Sequence, residues 1–482
     1  APFPYWKRGG AVLIGACLIG LCIFGIRGRT GYNPIKVSAA YFCQDAFLNQ
    51  LGVSPTFNLL TSVMDDMRPE NKYLHLMDEQ EAITKAQALL NRPGEANVSP
   101  LAVYRHPSMT DSVQRHRPNV VLIMMESMSC KFMKHFGQSE TLTPFLDSLY
   151  TRSISFRNFY SAGIHTNHGL YATLYSFPAM MKRNLMKGSV IPRYSGLPTV
   201  LKENGYYNLF FMTHEGQYDN MNAFFRTNGY DEVFSQENYP ADKVVNSFGV
   251  QDDFLYDYAI PVLNQRAATG QPFFATLLSI SNHPPYVIPP FFHPKTSEPE
   301  TQIVEYADWA LRQFFEEARK QPWFDNTIFV LEGDHGKLVG DAECELPESY
   351  NHIPLMIYSS RIQPEEKTTF GGQVDIQPTI LGLLNIDYLQ NNFGVDLLKE
   401  ERPCMFYTAD NMVGGRNDTL LYLYNYETQQ ELTYHIGNGK LNAVPMDDSF
   451  LPLKEYSFSM LQSAEFLVKH GKTLNSIPFT QQ

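Results

Sequence analysis

"NVVLIMMES", residues 119–127, opens with an apolar run that lacks polar alternation and stops abruptly at Glu126. A run this short, rich in Val, Ile, Leu and Met, reads as a strand buried on both faces, as in a parallel sheet. The same texture recurs downstream in "YNLFFMT" (207–213), "PFFATLLSIS" (272–281), "NTIFVLEG" (326–333) and "IPLMIYSS" (353–360). Amphipathic stretches lie between them: "TPFLDSLYTRS" (143–153), "GLPTVLKENG" (196–205), "EYADWALRQFFEEARK" (305–320) and "IQPTILGLLN" (376–385). Alternation of this kind predicts an α/β fold with a mainly parallel central sheet flanked by helices.

Ligands of open α/β sheets bind beyond the carboxyl ends of the strands. Here the first run ends in Glu126 and the second in His214. The third continues into Asn282 and His283, and the fourth into Asp334 and His335. Each residue alone is an ordinary turn residue or cap; four strand ends carrying carboxylate or imidazole predict a site. Carboxylates with one imidazole suit a divalent cation such as Mn²⁺, Mg²⁺ or Zn²⁺.

Thr166 gives such a site a use. It stands in "SAGIHTNHGLYATLYSFP" (161–178), between two histidines and before a helical pattern. By itself that hydroxyl reads as an N-cap. Beside a cation its pKa falls and it becomes a nucleophile. The helix that follows would turn its free N–H groups and positive end towards a bound phosphate or sulfate ester. His165 and His168, spaced i and i+3, read as a partly exposed helical pair rather than pocket residues.

The rest of the 482 residues frames this unit. Residues 9–26, within "GGAVLIGACLIGLCIFGIRGR", are uncharged and long enough to cross a bilayer, which predicts a transmembrane helix over 9–27. Basic residues on both sides, Lys7 and Arg8 before and Arg27 and Arg29 after, leave its orientation undecided. The chain starts at Ala1 without a methionine, so further residues, and further membrane helices, are expected upstream. A polar, helical connector is expected over 28–116, a catalytic domain over 117–398, and a C-terminal subdomain over 399–482. "TLLYLYNYETQQELTYHI" reads as antiparallel strands and "LKEYSFSMLQSAEFLVKHG" as a closing helix, making that subdomain α+β. A net charge of −12 argues against a nucleic-acid partner. The six cysteines form no CxxC or Cys/His zinc spacing.

Taken in order, "NVVLIMMES", "TPFLDSLYTRSISFRNFYSAGIHTNHGLYA", "SISNHPPY", "LEGDHG" and "GGQVDIQPTILGLLN" resemble the lipoteichoic acid synthase and phosphoglycerol transferase branch of the sulfatase-like alkaline phosphatase superfamily. The likeness runs over roughly residues 34–395. It implies Glu126, Asp334, His335 and the Thr166 oxygen as metal ligands, with Mn²⁺ or Mg²⁺ as the usual ion and Zn²⁺ as a third option. It implies Thr166 as the nucleophile of a covalent phospho-threonine intermediate, with His214 and His283 beside the phosphoglycerol group and His283 assisting the leaving alkoxide. Phosphatidylglycerol is the donor so implied, and a glycerol phosphate, glycan or glycolipid the acceptor. The resemblance further implies a protein of the cell membrane whose catalytic domain lies outside the cytoplasm. One departure stands out: the family's Trp and Arg before the Gly229–Tyr230–Asp231 corner are missing, and Arg226 is the nearby cation that could take their place. Other readings are a phosphodiesterase or phosphatase of the same superfamily and a phosphoethanolamine transferase. A formylglycine sulfatase lacks its Cys-x-Pro-x-Arg motif here, and a binding protein with a degenerate site would not keep the full constellation.

Overall fold

A computed structural model of the chain describes residues 5–30, 34–43, 46–68, 71–106, 117–188, 191–437 and 439–475. The end of the expected connector, with most of the basic patch before Asn119, lies outside these residues, as does the last part of the C-terminal subdomain.

A short ribbon pairs β1 (Val103–Arg105) with a later strand, β10 (Tyr388–Gln390). The central sheet has eight strands: β2 (Asn119–Met125), β3 (Ile154–Tyr160), β4 (Tyr207–Met212), β5 (Glu232–Phe234), β6 (Phe273–Leu278), β7 (Thr327–Gly333), β8 (Leu355–Tyr358) and β9 (Glu365–Gly372). Their order is β5-β4-β6-β2-β7-β8-β3-β9, parallel except for β8, which runs antiparallel to both neighbours. Alternate residues of β2 supply opposite faces. Val120, Leu122 and Met124 join the core under the helices Thr166–Tyr175 and Ile376–Leu383. Val121, Ile123 and Met125 join the core under Asp252–Ala267 and Pro299–Ala318. A strand with two buried faces needs apolar residues at every position, which is why its sequence shows no alternation. Each such side chain contributes roughly 1.5–3 kcal/mol of burial.

The helix Asp252–Ala267 escapes the sequence pattern because Pro261 interrupts it, and β3, β5 and β9 because polar residues break their runs. β11 (Met405–Thr408), β12 (Met412–Arg416), β13 (Leu420–Asn425), β14 (Gln430–Gly437) and β15 (Lys440–Val444) form a separate antiparallel sheet, covered by the helix Leu451–Lys469. This is the α+β unit expected at the C-terminus.

Residues 9–27 form one helix, exposed along its length, with a mean hydropathy of 2.4. It is long and apolar enough to cross a membrane. The connector behind it is not a loose tether. Arg29 pairs with Glu215 at 2.7 Å, the Ser38 hydroxyl reaches the carbonyl of Gly216, and Asn222 donates to the carbonyl of Tyr41 at 2.8 Å. Further on, the helix Glu79–Leu90, N-capped by Asp78, buries Ala82, Ile83, Ala86 and Leu90. It packs against the helix Leu451–Lys469.

Candidate active site

The four strands that end in functional side chains are consecutive in the sheet: β4, β6, β2 and β7. Their carboxyl ends deliver His214, His283, Glu126 and the Asp334–His335 pair to one edge. β2 and β7 are neighbours in register, Met125 opposite Gly333, so Glu126 and Asp334 leave adjacent strands side by side. Both carboxylates are fully buried. One ligand atom from each of Glu126, Asp334 and His335 lies within 4.8 Å of the others.

Each carboxylate has one oxygen tied and one turned to the cluster. Glu126 Oε1 accepts the Ser127 hydroxyl at 2.7 Å, and Asp334 Oδ1 accepts the N–H groups of Ser127 at 2.8 Å and His335 at 2.7 Å. Asp334 Oδ2 is buried with no hydrogen-bond partner. His335 Nδ1 lies 2.7 Å from the carbonyl of Gly336, which assigns the proton to Nδ1 and leaves Nε2 facing Asp334 Oδ2 at 3.5 Å. Burial, reinforced by the charge of Asp334, pushes the Glu126 carboxyl well above its usual range. Two buried acids, an orphaned carboxylate oxygen and an oriented imidazole fit a divalent cation, with outer partners fixing each ligand.

Thr166 is the first residue of the helix Thr166–Tyr175, and His165 is the residue that precedes it as N-cap, without a side-chain capping bond. The threonine hydroxyl is therefore not spent on capping. It points to Glu126 Oε2 at 3.5 Å. A close approach holds the helix there: a Cβ on Gly169 would lie 2.3 Å from the carbonyl oxygen of Asp334. Gln373 completes the frame, donating to that same carbonyl at 2.7 Å and accepting from the N–H of Ala162 at 2.9 Å.

The remaining sequence-derived residues divide. His283 packs against Phe248 with the ring centroids 4.0 Å apart and the planes tilted by 41°, donates its Nδ1–H to the carbonyl of Pro284 and is held below its usual pKa chiefly by burial, with the charge of His335 adding to the effect. His214 is buried against Tyr218, and burial pushes its imidazole down to about 4. Arg226 is turned elsewhere: its guanidinium holds Asn222 at 2.8 Å and the carbonyl of Val233, and it lines a cavity with Arg29, Tyr41 and Glu237. Neither contact reaches the Thr166 cluster, because the helix Met221–Thr227 carries the guanidinium on the side facing β5.

The two flanking histidines do not form an exposed pair. His165 is exposed and contacts Asp410 at 2.7 Å, whereas His168 is wholly buried, and burial keeps its imidazole neutral. Gly163 makes the room, since a Cβ there would meet the His168 ring at 2.4 Å. Sequence reading also passed over Ser127 and Lys337, and it placed Asn282 at a strand end without giving it a role. Ser127 holds both carboxylates at a backbone φ of 50°, Asn282 donates to the carbonyls of Glu126 and Ser127, and Lys337 reaches Asn282 at 2.5 Å. Burial lowers the Lys337 ammonium to about 8. For Ser127 and Lys337 the signal was adjacency: each lies within two residues of a residue already singled out.

A mainly parallel sheet with this strand-end cluster and a helix-borne threonine is the arrangement of an enzyme of the alkaline phosphatase superfamily. The sulfatase family profile matches residues 118–386, and the chain belongs to that family. Among solved structures it is similar to a protein of the alkaline phosphatase superfamily from Vibrio parahaemolyticus, with a TM-score of 0.73 and 25% identity over 83% of this chain and 98% of that one. It shares the fold of the lipoteichoic acid synthase LtaP from Listeria monocytogenes, with a TM-score of 0.64 and 21% identity over 76% and 96% of the two chains. Lipoteichoic acid synthase 2 of Bacillus subtilis is 24% identical over 59% of this chain and 47% of its own length. The chain thus spans about half the length of the curated relatives it matches.

Proposed function

We propose that the protein is a membrane-anchored, metal-dependent phosphoglycerol transferase that works through a covalent phospho-threonine. The observation that carries this reading is the uncapped Thr166 hydroxyl, 3.5 Å from Glu126 Oε2 and beside the Glu126, Asp334 and His335 cluster. The likeness to lipoteichoic acid synthases supports phosphatidylglycerol as donor. Glu126, Asp334, His335 and the Thr166 oxygen would hold the cation, manganese or magnesium by family likeness. When bound, that ion supplies the positive charge that acidifies the threonine hydroxyl and offsets the phosphoryl oxygens.

The chain's own residues do the rest. The Thr166 oxygen forms a bond to phosphorus as the bond to the diacylglycerol oxygen breaks. His283, its Nδ1–H fixed on the carbonyl of Pro284, leaves Nε2 free to take the proton released by Thr166 and pass it to that leaving oxygen. His214, neutral in its buried setting, packs beside the headgroup. The helix Tyr5–Arg27 would anchor the enzyme, with the catalytic domain outside the cytoplasm. The position of Arg226 favours one second reading, a phosphodiesterase or phosphatase of the same superfamily, because the guanidinium expected on the headgroup is engaged elsewhere.

The test uses the full chain in detergent micelles with Mn²⁺ and fluorescent phosphatidylglycerol. Wild type should release diacylglycerol and gain the mass of glycerol phosphate on Thr166; Thr166→Ala should do neither, with a rate lower by at least about 10³-fold. Thr166-dependent cleavage of a generic phosphodiester without diacylglycerol release would select the hydrolase instead.

A further inference from the structure

The connector carries two short helices, Ala46–Leu51 and Pro55–Asp66, whose polarity is turned inside out. On the second, Leu59, Leu60, Val63 and Met64, with Met67 at the C-cap, recur at helical spacing and are 50–77% exposed. The opposite side is polar and turned inward. Ser62 and Asp65 line a cavity with Lys182 and Lys187 of the catalytic domain, Asn58 Oδ1 is buried, and the carbonyl of Asp65 accepts from the Asn71 amide at 2.8 Å. The first helix repeats the inversion. Asn49 is 2% exposed and bonds to the backbone of Phe42 and Cys43, while Phe42 and Leu51 are 69% and 68% exposed.

Water selects the reverse arrangement, with Asn and Asp outside and Leu and Met inside. Among the described residues, eighteen large apolar side chains outside the helix Tyr5–Arg27 are exposed, and nine of them fall between Ile35 and Met67. On a soluble domain such residues scatter singly; a cluster marks a contact surface. Its place in the chain says what covers it. Gly28, at a φ of 75°, turns the chain at the end of the apolar helix, and the Ile35 N–H donates to the carbonyl of Arg27 at 2.9 Å. The exposed apolar surface therefore resumes against the end of the membrane helix itself, and a bilayer crossed by that helix is the first thing the connector meets.

We propose that the helices Ala46–Leu51 and Pro55–Asp66 lie in the surface of that bilayer, their apolar faces about 5–10 Å into the boundary between headgroups and acyl chains. The proposal rests on the membrane-anchored part of the functional reading and is independent of the transferase chemistry. A single crossing helix leaves the catalytic domain free to turn about the helix axis. A second contact, clasped to the domain through Tyr41 and Asn222, removes that freedom and fixes which side of the domain meets lipid.

The test places tryptophan on the full chain in vesicles of phosphatidylcholine, with and without bromine on the acyl chains, which quenches only what reaches it. Emission added by Leu60→Trp, over that of Trp6, Trp309 and Trp323, should be largely lost in brominated vesicles, and Met64→Trp should repeat the result one turn on. Tyr104→Trp, an exposed site on β1, should keep its emission. Ile19→Trp reads the membrane helix itself. Quenching at Ile19→Trp with none at Leu60→Trp or Met64→Trp would overturn the surface contact and keep the anchor. The opposite pattern would keep the contact and sink the crossing helix. Leu60→Trp emission that neither brominated lipid nor acrylamide in the water quenches would overturn the proposal in favour of protein lying on this face.

Discussion

Ser127 donates its backbone N–H to Oδ1 of Asp334 at 2.8 Å, so the residue just past one strand fixes the carboxylate of the next. Its hydroxyl does the same for Glu126 at 2.7 Å. Removing only the hydroxyl in Ser127→Ala should leave the fold intact and weaken metal affinity by about 10–100-fold, as loss of an outer-shell partner commonly does. A Mn²⁺ titration of the purified protein reads this directly, and unchanged affinity would assign Ser127 a purely structural role.

Two buried carboxylates side by side repel each other until a cation joins them. Saturating Mn²⁺ should therefore raise the melting temperature of chelator-stripped protein, by about 2.7 kcal/mol of added stability at a concentration 100 times the dissociation constant. In Asp334→Asn the stabilisation should vanish. Stripping with EDTA should also abolish phosphodiester cleavage, and restored metal should bring it back. A melting curve indifferent to metal in the wild type would remove the ion from the site.

Gly169 is where the helix Thr166–Tyr175 touches the loop that carries Asp334 and His335. A methyl there would stand 2.3 Å from the Asp334 carbonyl, which is too close for any real contact and has backbone on the other side. Gly169→Ala should cost about 1–3 kcal/mol of stability. It should also slow phosphodiester cleavage, because Thr166 and Asp334 must move apart. Thermal melts and initial rates check both; a stable variant with normal rate would show that the approach is not tight in solution.

His214 gives the acid side of the stability profile. Its folded pKa is about 4, against 6.5 when unfolded, because burial disfavours the charged imidazolium. Above pH 6.5 the group is neutral in both states and has no effect. Between pH 6.5 and 4 the unfolded chain takes up the proton and the folded one does not, so stability falls with pH by up to about 3 kcal/mol and then levels off. Melting temperatures of wild type and His214→Asn from pH 7 to pH 4 should show a gentler decline in the variant. Parallel curves would mean that His214 titrates normally in the fold.

Much of the site was legible because parallel strands write their ends into the sequence. "NVVLIMM" and "NTIFVLE" are apolar throughout and stop where they leave the sheet, so Glu126 and Asp334 stand out. That the two strands are neighbours is a matter of pairing, which no local pattern carries. Arg226 shows the limit from the other side: its place just before the Gly229–Tyr230–Asp231 corner suggested a phosphate holder, but the phase of the helix Met221–Thr227 turns it to Asn222 and Val233. His168 was misjudged for a similar reason, since the space it fills is made by Gly163, five residues earlier and off the helix. β8 was recognised as a strand, while its direction depends on how the chain returns from the His335 loop.

The clasp between the connector and the loop that carries His214 fixes a height. Arg29 stands two residues beyond the apolar helix and already grips Glu215, the neighbour of His214. A catalytic head on a slack leash could sample a broad shell of solution above a bilayer. This one is set like a plane iron in its block, with the cutting edge at a constant depth below the sole. On the proposed function, such an enzyme would shave headgroups from the bilayer that holds its helix and would be a poor catalyst for the same lipid presented on a separate vesicle.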